Sequence, residues 1–193
     1  MPTDIFNVVE LRATTKVLRE RGWEYDIRAL KSTIWAEDMS VEVKLKGIIS
    51  EIKLDLNHYG IVFATSGEPK RKKILTEDED ARYIIKKMFE LEKVVASICA
   101  TVPILADIVK GKRVTCYNSH DVKFPLIAAG AILDLRSIVV DGRIVTAQAP
   151  PLAEMWAHIA VDVAEGVTSD DHQDWLSTYA YKNERLGYYH VVE

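Results

Sequence analysis

Residues 94–109 read VVASICATVPILADIV. The first five are apolar or small and include two β-branched valines, a composition typical of a short strand buried on both faces. Residues 100–109 continue the apolar pattern at helical length, and a proline at position 103 is tolerated in a first helical turn. A buried strand that passes directly into a helix at Cys99 indicates an α/β domain with this cysteine at a sharp turn.

The sequence on both sides of this turn predicts alternating helices and strands. Upstream, the predictions are helices over 7–21 and 77–91 and strands over 23–30, 41–45 and 60–65. Downstream, they are a strand over 113–117, a hairpin that turns at Asp141-Gly142, and a helix from Pro150 to Gly166. This order predicts a mostly parallel sheet covered by helices on both faces, with the functional site beyond the carboxyl ends of its strands.

The length and charge of the chain limit the classes of protein it can belong to. Its 193 residues fit one core, so we predict a single domain over 1–166 and a C-terminal extension over 167–193. A formal net charge of −4 argues against a nucleic-acid partner. No apolar run approaches the roughly 20 residues that span a bilayer, so we expect a soluble protein with no membrane partner.

The cysteine content predicts a reducing, cytoplasmic location. The two cysteines lack CxxC spacing and therefore predict neither a disulfide framework nor a thiolate zinc site. The acidic cluster Asp170-Asp171-His172 could bind a cation but is more typical of a solvated tail. We predict no metal and no cofactor.

Cys99 is the first candidate for chemistry. The start of a helix offers free backbone amides and the positive end of the helix dipole, both of which favour a thiolate. A sharp strand-to-helix turn also exposes a nucleophile above the sheet. The alternative, which spacing alone favours, is a buried and inert core cysteine.

Four stretches of the sequence together resemble the DJ-1/PfpI superfamily. They are FNVVELRATTKVLRERGWEYDI (6–27), YGIVFATSG (59–67), VVASICATVPILADIVKGKRVTCY (94–117) and IAAGAILDLRSIVVDGRIVTAQAPPLAEMWAHIAVDVAEG (127–166). They follow the family's order and spacing over roughly residues 2–166. The resemblance implies a flavodoxin-like three-layer α/β sandwich, similar to class I glutamine amidotransferases, that assembles as a homo-oligomer, either a dimer or a hexamer.

The same resemblance implies roles for individual residues. Cys99 takes the place of the family's reactive cysteine, and Glu10 that of the carboxylic acid beside the sulfur, where a protonated carboxyl can stabilise a thiolate by hydrogen bonding. The amides of Gly67 and Ala100 can form an oxyanion site, although Ser66 replaces the first glycine of the family's pair. From the residues alone, Glu10 is instead a helix-capping carboxylate paired with Asn7.

Several positions depart from the family pattern. Ala100 and Tyr117 stand where family members carry a histidine, and Lys70 stands where some receive an acidic residue from a neighbouring subunit. His120, on the predicted loop after the 113–117 strand, is the nearby substitute for a catalytic histidine, and its alternative is a solvated loop residue. Cys116, which has no partner at metal-ligand spacing, is interpreted as a core or wall residue.

The family's first strand, buried and apolar, has no counterpart before Met1. Without it, neighbouring strands would lack hydrogen-bond partners. Three explanations remain open: a true start upstream of Met1, a processed chain, or replacement by Tyr188-Tyr-His-Val-Val192. We favour the first.

Resemblance to this family implies a cysteine-dependent hydrolase or lyase that acts on small carbonyl compounds or peptides in stress protection, with glyoxalase, deglycase and protease activities as possibilities. The alternative is a catalytically weak oxidation sensor or chaperone-like protein that has lost its histidine. A flavin-binding flavodoxin is disfavoured, because the first strand-helix loop lacks the Ser, Thr and Gly residues that wrap a phosphate.

Overall fold

The computed structural model describes residues 1–52, 55–68 and 72–167. Its strands are β1 (Ile5–Phe6), β2 (Thr33–Ala36), β3 (Glu42–Lys44), β4 (Ile61–Ala64), β5 (Val94–Ile98), β6 (Arg113–Val114), β7 (Ile132–Leu133), β8 (Ile138–Asp141) and β9 (Ile144–Ala147). Its α-helices are α1 (Val8–Glu20), α2 (Lys72–Glu77), α3 (Glu79–Glu90), α4 (His120–Ala128) and α5 (Ala153–Ala164). Three short 3₁₀ helices span Ile49–Ile52, Cys99–Leu105 and Pro150–Leu152.

The central sheet has the order β4-β5-β9-β8, with β4, β5 and β9 parallel and β8 antiparallel. Every residue of β5 is buried, which requires cover on both faces of the sheet. On one face, α5 packs against β5, β9 and α1. Its Trp156 is fully buried and meets the ring of Phe63 edge to face at 5.2 Å. The predicted α/β class with a mostly parallel sheet is confirmed.

Several local predictions are also confirmed. Asn7 caps α1, because its side chain accepts a hydrogen bond from the Glu10 amide at 3.2 Å. The β8–β9 hairpin turns at Gly142, whose φ of 63° lies in the left-handed region that glycine adopts without strain. The long final helix ends as predicted, with Gly166 at φ 87°.

The predicted strand over 23–30 is wrong. Only Ala29 makes an isolated bridge, to Ile48, and the strand in this region is β2. Residues 23–28 instead line a cavity of about 140 Å³, with α1, α3 and β4 among its other walls. In the described part of the chain, no strand lies in this space, so residues 23–28 have no neighbour with which to form a ladder.

Met1 lies beside β4 and forms two backbone hydrogen bonds with that segment. The Met1 amino group donates to the Phe63 carbonyl at 2.5 Å, and the Thr65 amide donates to the Met1 carbonyl at 3.2 Å. Burial lowers the pKa of this amino group to about 5. Further along, β1 pairs in parallel with β2. The proposed replacement strand at 188–192 and the rest of the extension after Val167 lie outside the described residues.

Two elements around the predicted turn differ from expectation. The helix predicted over 100–109 is a 3₁₀ helix, since Pro103 has no amide to donate and the Cys99 carbonyl instead accepts from the Tyr117 amide at 3.3 Å. The strand predicted over 113–117 stops at Val114, because the Thr115 amide donates to the Thr146 side chain rather than to a ladder. His120 begins α4 and does not lie on a loop.

Candidate active site

Cys99 lies in a left-handed backbone conformation at the junction of β5 and the 3₁₀ helix. Its φ is 58°, whereas Ile98 before it is still extended. A non-glycine residue in this region costs roughly 1–2 kcal/mol, and such strain is concentrated at functional sites. The residue is 9% exposed. The geometry is that of a nucleophile elbow, with a thiol almost closed off from solvent.

The Glu10 carboxylate is fully buried and held by Ser66. The Ser66 amide donates to Oε2 at 2.5 Å, and the Ser66 hydroxyl lies 2.7 Å from Oε1 and 2.8 Å from Oε2. The backbone N–H of Asn7 donates to the Ser66 carbonyl. The predicted hydrogen bond from this N–H to the Glu10 carboxylate, the second half of a capping box, is therefore wrong. Burial raises the pKa of Glu10 to about 7, against the opposing effect of the Ser66 hydrogen bonds.

The Cys99 thiol is the neutral partner of this carboxyl. Burial and the negative charge of Glu10 raise the pKa of Cys99 to about 12, while hydrogen bonds from the Ser66 side chain and the Ala100 amide act in the opposite direction. The sequence predicted that this turn would favour a thiolate, and the raised pKa shows the opposite. The helix after Cys99 is a short 3₁₀ helix, and its dipole does not offset the cost of removing a charged sulfur from water. At neutral pH the group that titrates is therefore Glu10, and the resting sulfur is protonated.

Gly67 is positioned by a close approach to β1. It forms an antiparallel bridge with Phe6, flanked by hydrogen bonds from Asn7 to Ser66 and from Glu68 to Ile5. In such a pair the Gly67 N–H points away from β1. A Cβ at Gly67 would lie 1.7 Å from the Ile5 carbonyl oxygen, so only glycine fits.

His120 is exposed at the start of α4, where its ring stacks on Phe124 with centroids 5.7 Å apart. The structure brings Glu10, Ser66 and Ala100 to Cys99, whereas the described contacts of His120 are with its own helix. The loop before α4 does touch the elbow through Tyr117. A catalytic role for His120 stays a prediction.

Sequence analysis missed the roles of two residues at this site. Ser66 was noted only as a replaced glycine, yet its hydroxyl contacts the Glu10 carboxylate and its side chain lowers the pKa of Cys99. Glu37, directly after β2, is held by the Asn7 side chain at 2.9 Å, and its negative charge raises the pKa of both Glu10 and Cys99. The sequence predictions gave no signal for it, because they placed no strand over 33–36, where β2 ends just before Glu37.

The remaining candidates lie apart from this site. Cys116 is 5% exposed, and burial raises its pKa to about 11, in line with a core residue. Among the described residues no three His, Cys, Asp or Glu side chains are grouped so that they could hold a metal ion, and the cluster 170–172 lies outside them, as does Lys70. In residues 1–52, 55–68 and 72–167, no helix is both long and apolar enough to cross a membrane.

The chain belongs to the DJ-1/PfpI family, whose model matches residues 2–162. An uncharacterised protein of Archaeoglobus fulgidus is 31% identical over 147 residues, which cover 75% of this chain and 84% of that protein. A protein of Pyrococcus abyssi named as a deglycase is 30% identical over 158 residues, which cover 81% of this chain and 92% of that protein. A ThiJ/PfpI domain structure from Brachyspira murdochii superimposes with a TM-score of 0.76 at 20% identity and covers 87% of this chain and 100% of that chain. This superposition confirms the flavodoxin-like fold.

Proposed function

We propose that this chain is a cysteine-dependent enzyme that adds the Cys99 sulfur to small carbonyl compounds. The observation that carries the proposal is the placement of a carboxyl with a pKa of about 7, Glu10, beside a strained elbow thiol. A general base is most effective when its pKa lies near the working pH. A buried thiol with such a base can remain protonated at rest and be activated only when an electrophile arrives.

The addition step needs only groups already present. Glu10 takes the thiol proton, the sulfur forms a bond to the carbonyl carbon, and the carbonyl π electrons move to oxygen. The Gly67 and Ala100 amides stabilise that oxyanion, which then takes the proton from Glu10 to give a hemithioacetal. With a 2-oxoaldehyde, Glu10 can next move a proton between the two carbons, which gives a thioester that water hydrolyses to a hydroxy acid and free Cys99.

The burial of Cys99 favours small substrates over folded polypeptides. Only 9% of the residue is exposed, so a reacting carbonyl must be carried on a small molecule or a mobile side chain. The related Pyrococcus abyssi protein is named as a deglycase, which agrees with carbonyl adducts as a substrate class. The earlier expectation of peptide hydrolysis finds less support in this geometry.

The test is consumption of excess methylglyoxal and formation of lactate by the full chain at pH 7. We expect turnover by the wild type, loss of more than about 100-fold in Cys99→Ser, and no change in Cys116→Ser, the matched buried cysteine. His120→Ala should retain activity within about twofold, since its ring packs on its own helix. A larger loss would place His120 at the reaction and restore the catalytic role that the sequence predicted for it.

A second candidate, an oxidation sensor or chaperone-like protein, is favoured by one observation: Ala100 and Tyr117 stand where the family resemblance places histidines. Against it, redox-sensing cysteines are typically exposed and of low pKa, whereas Cys99 is buried with a raised pKa. Labelling of Cys99 by iodoacetamide without any methylglyoxal turnover would favour this candidate over the enzyme.

A further inference from the structure

Ser66 interacts with both of the groups that exchange a proton in the proposed reaction. Its hydroxyl lies 2.7 Å and 2.8 Å from the two Glu10 carboxylate oxygens. The same side chain is near enough to Cys99 to lower the pKa of its thiol. Ser66 is 2% exposed, so water does not readily take its place. We infer that the Ser66 hydroxyl relays the proton from the Cys99 thiol to the Glu10 carboxylate, making a Cys99–Ser66–Glu10 chain.

The relay conserves protons and charge. The Cys99 S–H donates to Ser66 Oγ, and Ser66 passes its own proton to a Glu10 oxygen. The products are a thiolate that accepts a hydrogen bond from Ser66 and a neutral Glu10 carboxyl. A hydroxyl can serve in this way because it accepts and donates at once, which neither a glycine nor an alanine side chain can do.

The backbone of Ser66 fixes the geometry of the relay. Its amide donates to Glu10 Oε2 at 2.5 Å, and its carbonyl accepts from Asn7 at 2.9 Å, so the residue is tied to the first turn of α1 on both sides. Such a pre-set arrangement costs little reorganisation when the proton moves. The relay gives the chain a way to activate Cys99 without a histidine at position 100 or 117.

This inference rests on the proposed function, and the test separates the two. The rate of Cys99 alkylation by iodoacetamide is followed from pH 5 to 10 by mass spectrometry, in a Cys116→Ser background. The variants are Ser66→Ala and Ser66→Gly, with Thr65→Val as the control. Thr65 is the adjacent buried residue, and its hydroxyl has no hydrogen-bond partner among the described residues. Thermal unfolding confirms that each variant is folded.

For the wild type and Thr65→Val we expect an alkylation rate that rises through an inflection near pH 7. In both Ser66 variants this inflection should be lost and the rate at pH 7 should fall about 100-fold, a typical contribution of positioned proton transfer. Adding Ser66→Ala to Glu10→Gln should change nothing further, because both substitutions interrupt the same path.

Each other outcome overturns one idea. An inflection that persists in both Ser66 variants, at pH 7 or displaced upward, shows direct transfer from Cys99 to Glu10; it overturns the relay and leaves the proposed function standing. A wild type without an inflection below pH 9, together with absent methylglyoxal turnover, overturns the proposed function itself. If Ser66→Ala does not fold, Ser66→Gly, which restores the residue expected from the family, decides between these outcomes.

Discussion

The Asn7 side-chain amide donates a 2.9 Å hydrogen bond to Glu37 Oε2 and so ties an exposed carboxylate to the first turn of α1. Glu10, in that same turn, is buried below it. The Glu37 charge raises the pKa of both Glu10 and Cys99, so it acts on both groups of the proposed reaction. A negatively charged substrate approaching Cys99 would meet this charge, whereas a neutral carbonyl compound would not be repelled.

The first prediction concerns this selectivity. Glu37→Gln should increase the rate of Cys99 alkylation by anionic iodoacetate, relative to neutral iodoacetamide, by about twofold to fivefold, the range of one partly screened surface charge. The alkylation profile with iodoacetamide should also move to lower pH. Glu42→Gln, which removes an exposed carboxylate from β3, is the control and should leave the ratio unchanged. An unchanged ratio in Glu37→Gln would show that Glu37 does not face the path to Cys99.

The second prediction concerns Glu10 as a base. Because its pKa is about 7, Cys99 alkylation in the wild type should rise with pH through this value, as the carboxyl ionises and can accept the thiol proton. Glu10→Gln should remove this rise and lower the rate at pH 7 about 100-fold. Glu20→Gln, an exposed carboxylate at the end of the same helix, should behave as the wild type. A wild-type profile in Glu10→Gln would exclude Glu10 as the base.

The third prediction links the same group to stability. Glu10 has a pKa of about 7 in the folded protein against an ordinary value of 4.5, so the folded state holds more protons than the unfolded state between these values. Its stabilising contribution is complete below pH 4.5 and is lost as pH rises through 7, by at most about 3 kcal/mol. The lowered pKa of the Met1 amino group gives the opposite slope between about pH 5 and 8.

The quantity to measure is therefore the difference in free energy of unfolding between the wild type and Glu10→Gln. Urea unfolding of the wild type and Glu10→Gln at several pH values between 4.5 and 7 isolates the Glu10 contribution, because Met1 is common to both. The free energy of unfolding of the wild type should decline relative to the variant across this window. A constant difference would mean that the pKa of Glu10 is the same in the folded and unfolded states.

Sequence reasoning succeeded where local pattern and burial agree. The strand β5 is predicted with its observed limits because a fully buried parallel strand needs an uninterrupted apolar run. Prediction from the sequence failed where the structure of one segment depends on pairing with another. Residues 23–28 have strand composition but line a cavity, and composition alone does not reveal that no described segment pairs with them.

The same distinction applies to the site. The family resemblance predicts Cys99 and Glu10 as site residues, but the sequence does not report how strongly each is buried. Desolvation sets the direction of both pKa shifts, and it reverses the expectation of a thiolate-favouring turn. The role of Ser66 depends on distances across the fold, which no single-sequence spacing contains.

The last prediction tests the strain at the elbow. At a φ of 58°, alanine at position 99 carries the steric cost of the left-handed region and glycine does not, so Cys99→Gly should be more stable than Cys99→Ala by about 1 kcal/mol. Ala100 provides the matched control, because it follows the strained residue within the 3₁₀ helix, where glycine carries only its entropic penalty. Ala100→Gly should therefore destabilise the protein by up to about 1 kcal/mol. Urea unfolding gives the free energy of unfolding of all three variants. Equal values for Cys99→Ala and Cys99→Gly would show that the elbow stores no strain.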